Sequence, residues 1–131
     1  MTSVPARVST VVLVGHCSPD SGMLKSITAR VLPGVAVVRV NDDRALEKYR
    51  RADALWLVNR GLDGDFAADD GIAIIEREAS KPQPPVLLLI SNYADAQAAA
   101  VAAGAKGGFG KQSLYAESTA ATLRDAAGVT T

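Results

Sequence analysis

The stretch "ALWLVNRGLDGDF" (54–66) is apolar for five residues, turns polar at Asn59, and continues into a glycine-bracketed loop holding Asp63 and Asp65. A carboxylate at such a strand end could bind a hard cation or accept a phosphoryl group. A carboxamide there can only hydrogen-bond. "GHC" (15–17) sets His16 beside Cys17, Ser91 closes "PVLLLIS" (85–91), and Lys111 closes "GGFGK" (107–111). Adjacent His and Cys side chains diverge, and no further His or Cys exists to complete a tetrahedral metal site. The aspartates 63, 65, 69 and 70 lack the ligand spacing and terminal Glu of a Ca²⁺ loop. "GAKGGFG" (104–110) opens no G-K-S/T helix start, so it is not a phosphate loop of that kind. No metal and no cofactor is expected from these residues.

The elements that must position these groups are legible as short Val/Leu-rich runs. "VSTVVLVG" (8–15), "VAVVRV" (35–40), "ALWLVN" (54–59) and "PVLLLIS" (85–91) show no strict alternation, as strands covered on both faces do. "GGFGK" (107–111) is a fifth run, glycine-rich and poorly specified by propensity. Helical patterns lie between them. Ser18, followed by Pro19, is expected to open a helix with Met23, Leu24, Ile27 and Val31 on its inner face. Asn41 or Asp42 caps "DDRALEKYRRA", with Leu46 and Tyr49 inward, and Asp69 or Asp70 caps "GIAIIEREAS", with Ile72, Ile75 and Ala79 on one side. "ADAQAAAVAAGA" stops at Gly104 and offers Val101 as its one large packing residue. A last helix is expected from about Ser113 to Ala127, carrying Leu114 and Leu123.

Strand and helix alternate five times, which implies right-handed crossovers and helices on both faces of a parallel sheet. The expected fold is α/β: a flavodoxin-like, doubly wound three-layer sandwich. Its five-stranded parallel sheet has order 2-1-3-4-5, with five helices, in one domain over 1–131 (core about 8–128). The switch point then lies between strands 1 and 3, framed by "GHCSPD" (15–20) and "NRGLDGDF" (59–66). The 14 basic and 14 acidic side chains cancel, which argues against direct nucleic-acid binding. A single cysteine, no apolar run near the roughly 20 residues of a bilayer span, and no secretory leader point to a cytoplasmic protein without membrane contact.

The chain resembles the receiver domain of two-component response regulators. "PPVLLLISNYADAQAAAVAAGAKGGFGK" (84–111) is similar to a receiver's fourth strand, fourth helix and fifth strand, with Ser91, an Ala-Gly-Ala turn (103–105) and Lys111. "ADALWLVN" resembles the third strand, and "DDGIAII" (69–75) the Asp-Gly entry to the third helix. The resemblance implies an acidic Mg²⁺-binding pair after strand 1, an acceptor aspartate ending strand 3, and a hydroxyl and lysine that hold the phosphoryl oxygens. At the pair's positions stand Gly15 and His16, and at the acceptor's stands Asn59. Ser91 and Lys111 remain, while the aromatic switch position of strand 5 reads Gly108.

The expected function is therefore a degenerate receiver, or pseudo-receiver, that is no enzyme. It would recognise a protein partner in signal transduction without phosphorylation, by the helix 4–strand 5–helix 5 face that receivers use, and that face could also pair two copies. Two alternatives stay open. One is phosphorylation on a shifted aspartate, Asp63 or Asp65, since the loop after Asn59 is about four residues longer than a receiver's. The other is a small enzyme or ligand-binding protein using a crevice lined by His16, Asn59, Ser91 and Lys111. Lys111 is expected to hydrogen-bond Asn59 and to find a carboxylate from Asp63 or Asp65, or a bound anion.

Overall fold

A computed structural model describes residues 7–129. Five strands, β1 (Thr10–Val14), β2 (Ala36–Val40), β3 (Ala54–Asn59), β4 (Val86–Ile90) and β5 (Lys106–Phe109), form one parallel sheet of order β2-β1-β3-β4-β5. Helices α1 (Ser18–Val31), α2 (Asp43–Leu46), α3 (Gly71–Ala79), α4 (Ala94–Ala103) and α5 (Glu117–Ala127) cover it. The expected flavodoxin-like fold and strand order are those observed.

The two faces of the sheet are separated by the pleat. Val11, Leu13, Leu55, Leu57, Leu88 and Ile90 pack with Leu24 and Ile27 of α1 and Leu123 of α5. Val12, Val14, Trp56, Val58 and Leu89 pack with Ile74 and Ile75 of α3 and Ala96 and Ala100 of α4. Each central strand therefore buries successive side chains on opposite sides, which is why the sequence shows continuous apolar runs. Trp56 is fully buried, and its Nε1 donates to Tyr49 O over 2.9 Å, fastening β3 to the chain that follows α2.

Several helix details differ from expectation. Cys17, not Ser18, is the N-cap of α1, and its side chain makes no capping bond. Met23 is exposed on α1, while Leu24 and Ile27 carry the contact. The second helix gives way to a 3₁₀ turn at Glu47–Tyr49 and ends there, well short of Ala52. The last helix starts at Glu117, because Lys111–Ser113 form a separate 3₁₀ turn that buries Leu114 before the helix begins. Val101 is about half exposed on α4, whose packing rests on Ala96 and Ala100. Asp42 and Asp70 do cap their helices, accepting from Ala45 N and Ala73 N.

The last turn of α3 holds a fully buried carboxylate. Glu78 accepts from Arg50 Nε at 2.7 Å, Arg77 Nε at 2.8 Å and Lys81 Nζ at 3.0 Å. Burial pushes its pKa up, but the three cations outweigh that and hold it below the ordinary glutamate value. Arg77 also reaches Asp43 at 3.2 Å, so this cluster joins the C-terminal end of α3 to α2.

Candidate functional site

β1 and β3 run side by side, with Val14 opposite Val58, and their C-terminal ends open at the switch point where ligands bind in such sheets. Gly15 leaves β1 with φ +74°, a conformation in which a side chain is strained, and a Cβ there would stand 2.6 Å from Leu62 Cδ2. Its carbonyl accepts from Asn59 Nδ2 and from Asp63 N, each at 2.9 Å. Asn59 Nδ2 also donates to Gly61 O at 2.7 Å. Both hydrogens of the carboxamide are therefore used to tie the end of β3 to β1 and to its own following loop. Asp65 N donates to Asn41 O and Ala67 N to an Asp43 carboxylate oxygen, so residues 60–67 lie across the ends of β1 and β2.

His16 does not line this crevice as expected. Its ring is fully buried, and Nε2 donates to Leu57 O at 2.9 Å while Nδ1 has no partner. Burial, helped by the positive charge of Lys111, holds its pKa down at about 4 against the upward pull of the bond to Leu57. The imidazole is thus neutral and structural. Its carbonyl is covered as well, accepting from Arg39 Nε and Asn41 Nδ2, both at 3.2 Å.

Lys111 finds neither Asp63 nor Asp65. Its Nζ donates to Asp20 Oδ2 at 2.7 Å and approaches Asn59 Oδ1 at 3.4 Å. The Lys111 hydrogen bond, assisted by one from Cys17, holds the Asp20 carboxyl below its ordinary range. Asp20 lies in the first turn of α1, where negative charge also suits the helix dipole. Sequence reasoning missed it: an acidic residue in a first turn reads as a dipole partner, and nothing local connects it to Lys111. Asp63 is more than half exposed, 3.8 Å from Arg39 and 3.5 Å from Asn41 Nδ2. Asp65 pairs by its backbone with Asp42 as an isolated bridge.

Asn59, Ser91 and Lys111 do meet. With Arg60, Asn92 and Tyr93 they line a cleft of about 180 Å³. Ser91 Oγ accepts from Tyr93 N at 3.2 Å, and the Arg60 guanidinium stands 5.8 Å from the centre of the exposed Tyr93 ring. The divalent cation that such a fold implies does not fit these residues. Gly15 offers no side-chain ligand, His16 turns inward, Asn59 gives its N–H donors to carbonyls and its Oδ1 faces Lys111, and of the nearby carboxylates Asp20 already holds an ammonium while Asp63 faces Arg39. Among the described residues no three His, Cys, Asp or Glu side chains are grouped to hold a metal, and no helix is long and apolar enough to cross a membrane.

Gly108 sits at an irregularity of the sheet. Leu88 pairs with Lys106 and Ile90 with Phe109, so Leu89 faces both Gly107 and Gly108. A Cβ on Gly108 would stand 2.1 Å from Leu89 O, which leaves no room for an aromatic side chain at this position.

No protein-family model and no curated protein matches the chain. Solved structures do. The signal receiver domain of a DNA-binding response regulator from Colwellia psychrerythraea 34H is 17% identical at a TM-score of 0.67, covering 90% of this chain and 96% of its own. A response regulator from Colwellia psychrerythraea is 19% identical at 0.64, covering 92% and 98%. A cyanobacterial phytochrome response regulator, in its phosphorylated form, is 18% identical at 0.59, covering 90% of each chain. Strand order, helix placement and these likenesses agree: the chain has the fold of a response-regulator receiver domain.

Proposed function

We propose that this chain is a pseudo-receiver: a protein-recognition module of signal transduction that works in the cytoplasm and transfers no phosphoryl group. The observation that carries this reading is Asn59. It ends β3 with both amide hydrogens given to Gly15 O and Gly61 O, and a carboxamide has no anionic oxygen to attack phosphorus. The loop over the crevice and the missing cation ligands support the same reading. The solved structures with this fold are response regulators and their receiver domains, which supports a signalling role. The surface proposed for the partner, or for a second copy, is α4, β5 and α5, where Ala98, Ala99, Val101 and Ala102 are exposed on α4. Balanced charge argues for a protein rather than a nucleic acid.

The test is incubation with Mg²⁺ and acetyl phosphate, read by intact mass. The expected result is no added phosphoryl mass. A stoichiometric, hydroxylamine-labile adduct would overturn the proposal, and its mapping to Asp63 or Asp65 would establish a shifted acceptor.

A further inference from the structure

The bulge in β5 leaves a gap in the ladder between β4 and β5. Two residues, Gly107 and Gly108, stand opposite the single Leu89, so the pairing is irregular across this point, and the Gly108 N–H turns to a side chain. Buried backbone groups left unpaired are costly, and something must satisfy them. Gln97, one turn into α4, reaches into the gap. Its Nε2 donates to Leu89 O at 2.9 Å and to Ser91 O at 3.0 Å, with Phe109 O at 3.4 Å on the edge of its reach. Its Oε1 accepts from Gly108 N at 3.1 Å. One side-chain amide thus takes up the Gly108 N–H and gives its own hydrogens to the Leu89 and Ser91 carbonyls.

Geometry makes this place specific to the residues present. Gly108 approaches both Leu89 O and Gln97 Oε1 so closely that a Cβ would meet them at 2.1 and 3.0 Å. Gln97 itself is half-buried, while its neighbours Ala98 and Ala99 are exposed. A shift of α4 along the sheet, or of β5 relative to β4, would break the bonds at Leu89, Ser91 and Gly108 together. Ser91 also lines the cleft, so the same amide ties the cleft to the outer face.

We infer that Gln97 is a lock: through its bonds to Leu89, Ser91 and Gly108 it holds α4 and β5 in one arrangement, and the α4–β5 face is presented preformed. The lock is independent of whether that face recognises a partner. A partner that did use it would meet a surface needing no rearrangement.

The experiment is amide hydrogen exchange and relaxation-dispersion NMR on the whole chain. The wild type should show flat dispersion across residues 94–109 and a protected Gly108 amide. Gln97→Met keeps length and helix propensity but removes every bond. It should speed Gly108 exchange at least 100-fold and introduce millisecond exchange in α4 and β5, while β1 and β3 stay protected. Ala98→Gly, which weakens the helix without touching the amide, should leave Gly108 protected. Three results would overturn the lock: coupled exchange across 94–109 in the wild type, unchanged Gly108 protection in Gln97→Met, or equal loss of protection in Ala98→Gly. If Gln97→Met does not fold, the wild-type dispersion profile decides alone.

Discussion

Lys111 Nζ donates to Asp20 Oδ2 over 2.7 Å, joining residues 91 positions apart and tying the first turn of α1 to the end of β5. Both side chains are about a quarter exposed, so the pair is neither a surface ornament nor a dry charge pair. Asp20→Asn should lower stability by about 1–2 kcal/mol, since a charge-assisted hydrogen bond is replaced by a neutral one. A double-mutant cycle with Lys111→Met, read by urea denaturation, should give a favourable coupling energy. A coupling near zero would mean the two groups only share space.

Asn59→Asp places a carboxylate oxygen where Nδ2 now faces Gly15 O and Gly61 O. Two hydrogen bonds become oxygen–oxygen contacts. The nearby Lys111 ammonium, already held by Asp20, compensates only in part. Stability should fall by about 2–4 kcal/mol at pH 7, visible as a lower Tm. An unchanged or higher Tm would show instead that the crevice has positive potential to spare.

His16 should make the protein lose stability in mild acid. The imidazole takes up a proton near 6.5 when unfolded but only near 4 when folded. Between those values the unfolded chain binds more protons, so this contribution is full above pH 6.5 and drains away as pH falls towards 4. The difference amounts to about 3 kcal/mol. Asp20, with its depressed carboxyl, loses its own contribution at lower pH, below the ordinary aspartate range. Denaturation profiles from pH 4 to 7 should therefore flatten in His16→Gln. A profile as steep as the wild type's would assign the acid sensitivity elsewhere.

Glu78→Gln leaves Arg50, Arg77 and Lys81 facing one another around a neutral amide. Breaking a buried ion cluster by removing one charge is strongly destabilising. The cations are partly exposed and can turn to solvent, so a loss of about 3 kcal/mol is expected rather than more, measured by thermal or urea unfolding. A loss under about 1 kcal/mol would mean that desolvation of Glu78 already cancels most of its attraction to the three cations.

Gly64→Ala tests the loop that covers the crevice. Gly64 has φ +114°, and a Cβ would stand 2.2 Å from Asn41 O, a backbone atom that cannot step aside cheaply. The bond from Asp65 N to that same carbonyl should break. We expect a cost of about 1–3 kcal/mol and faster amide exchange at Asp63 and Asp65. Unaltered exchange there would show that the loop is held by contacts other than its backbone bonds to β1 and β2.

Strand periodicity and helix signals are local, and so the sequence by itself determined the sheet, its order, and the crevice at Gly15 and Asn59. A slide of β3 that brought Asp63 to the strand end would carry Trp56, Leu57 and Val58 out of the strand core, so the apolar run from Ala54 to Val58 holds its own register. That run also settled that a carboxamide ends β3. Which way a side chain turns, and which distant group it meets, is decided by neighbours that the chain brings together only on folding. His16 follows Gly15 at the end of β1, yet it turns inward because the Leu57 carbonyl lies within reach of its ring. Asp20 lies one turn into a helix and Lys111 after the last strand, and nothing in either neighbourhood announces the other. Gln97 reads as an ordinary polar residue of an alanine-rich helix. Its role exists only because β5 carries one residue too many for β4, and a bulge leaves backbone groups that a nearby amide can satisfy.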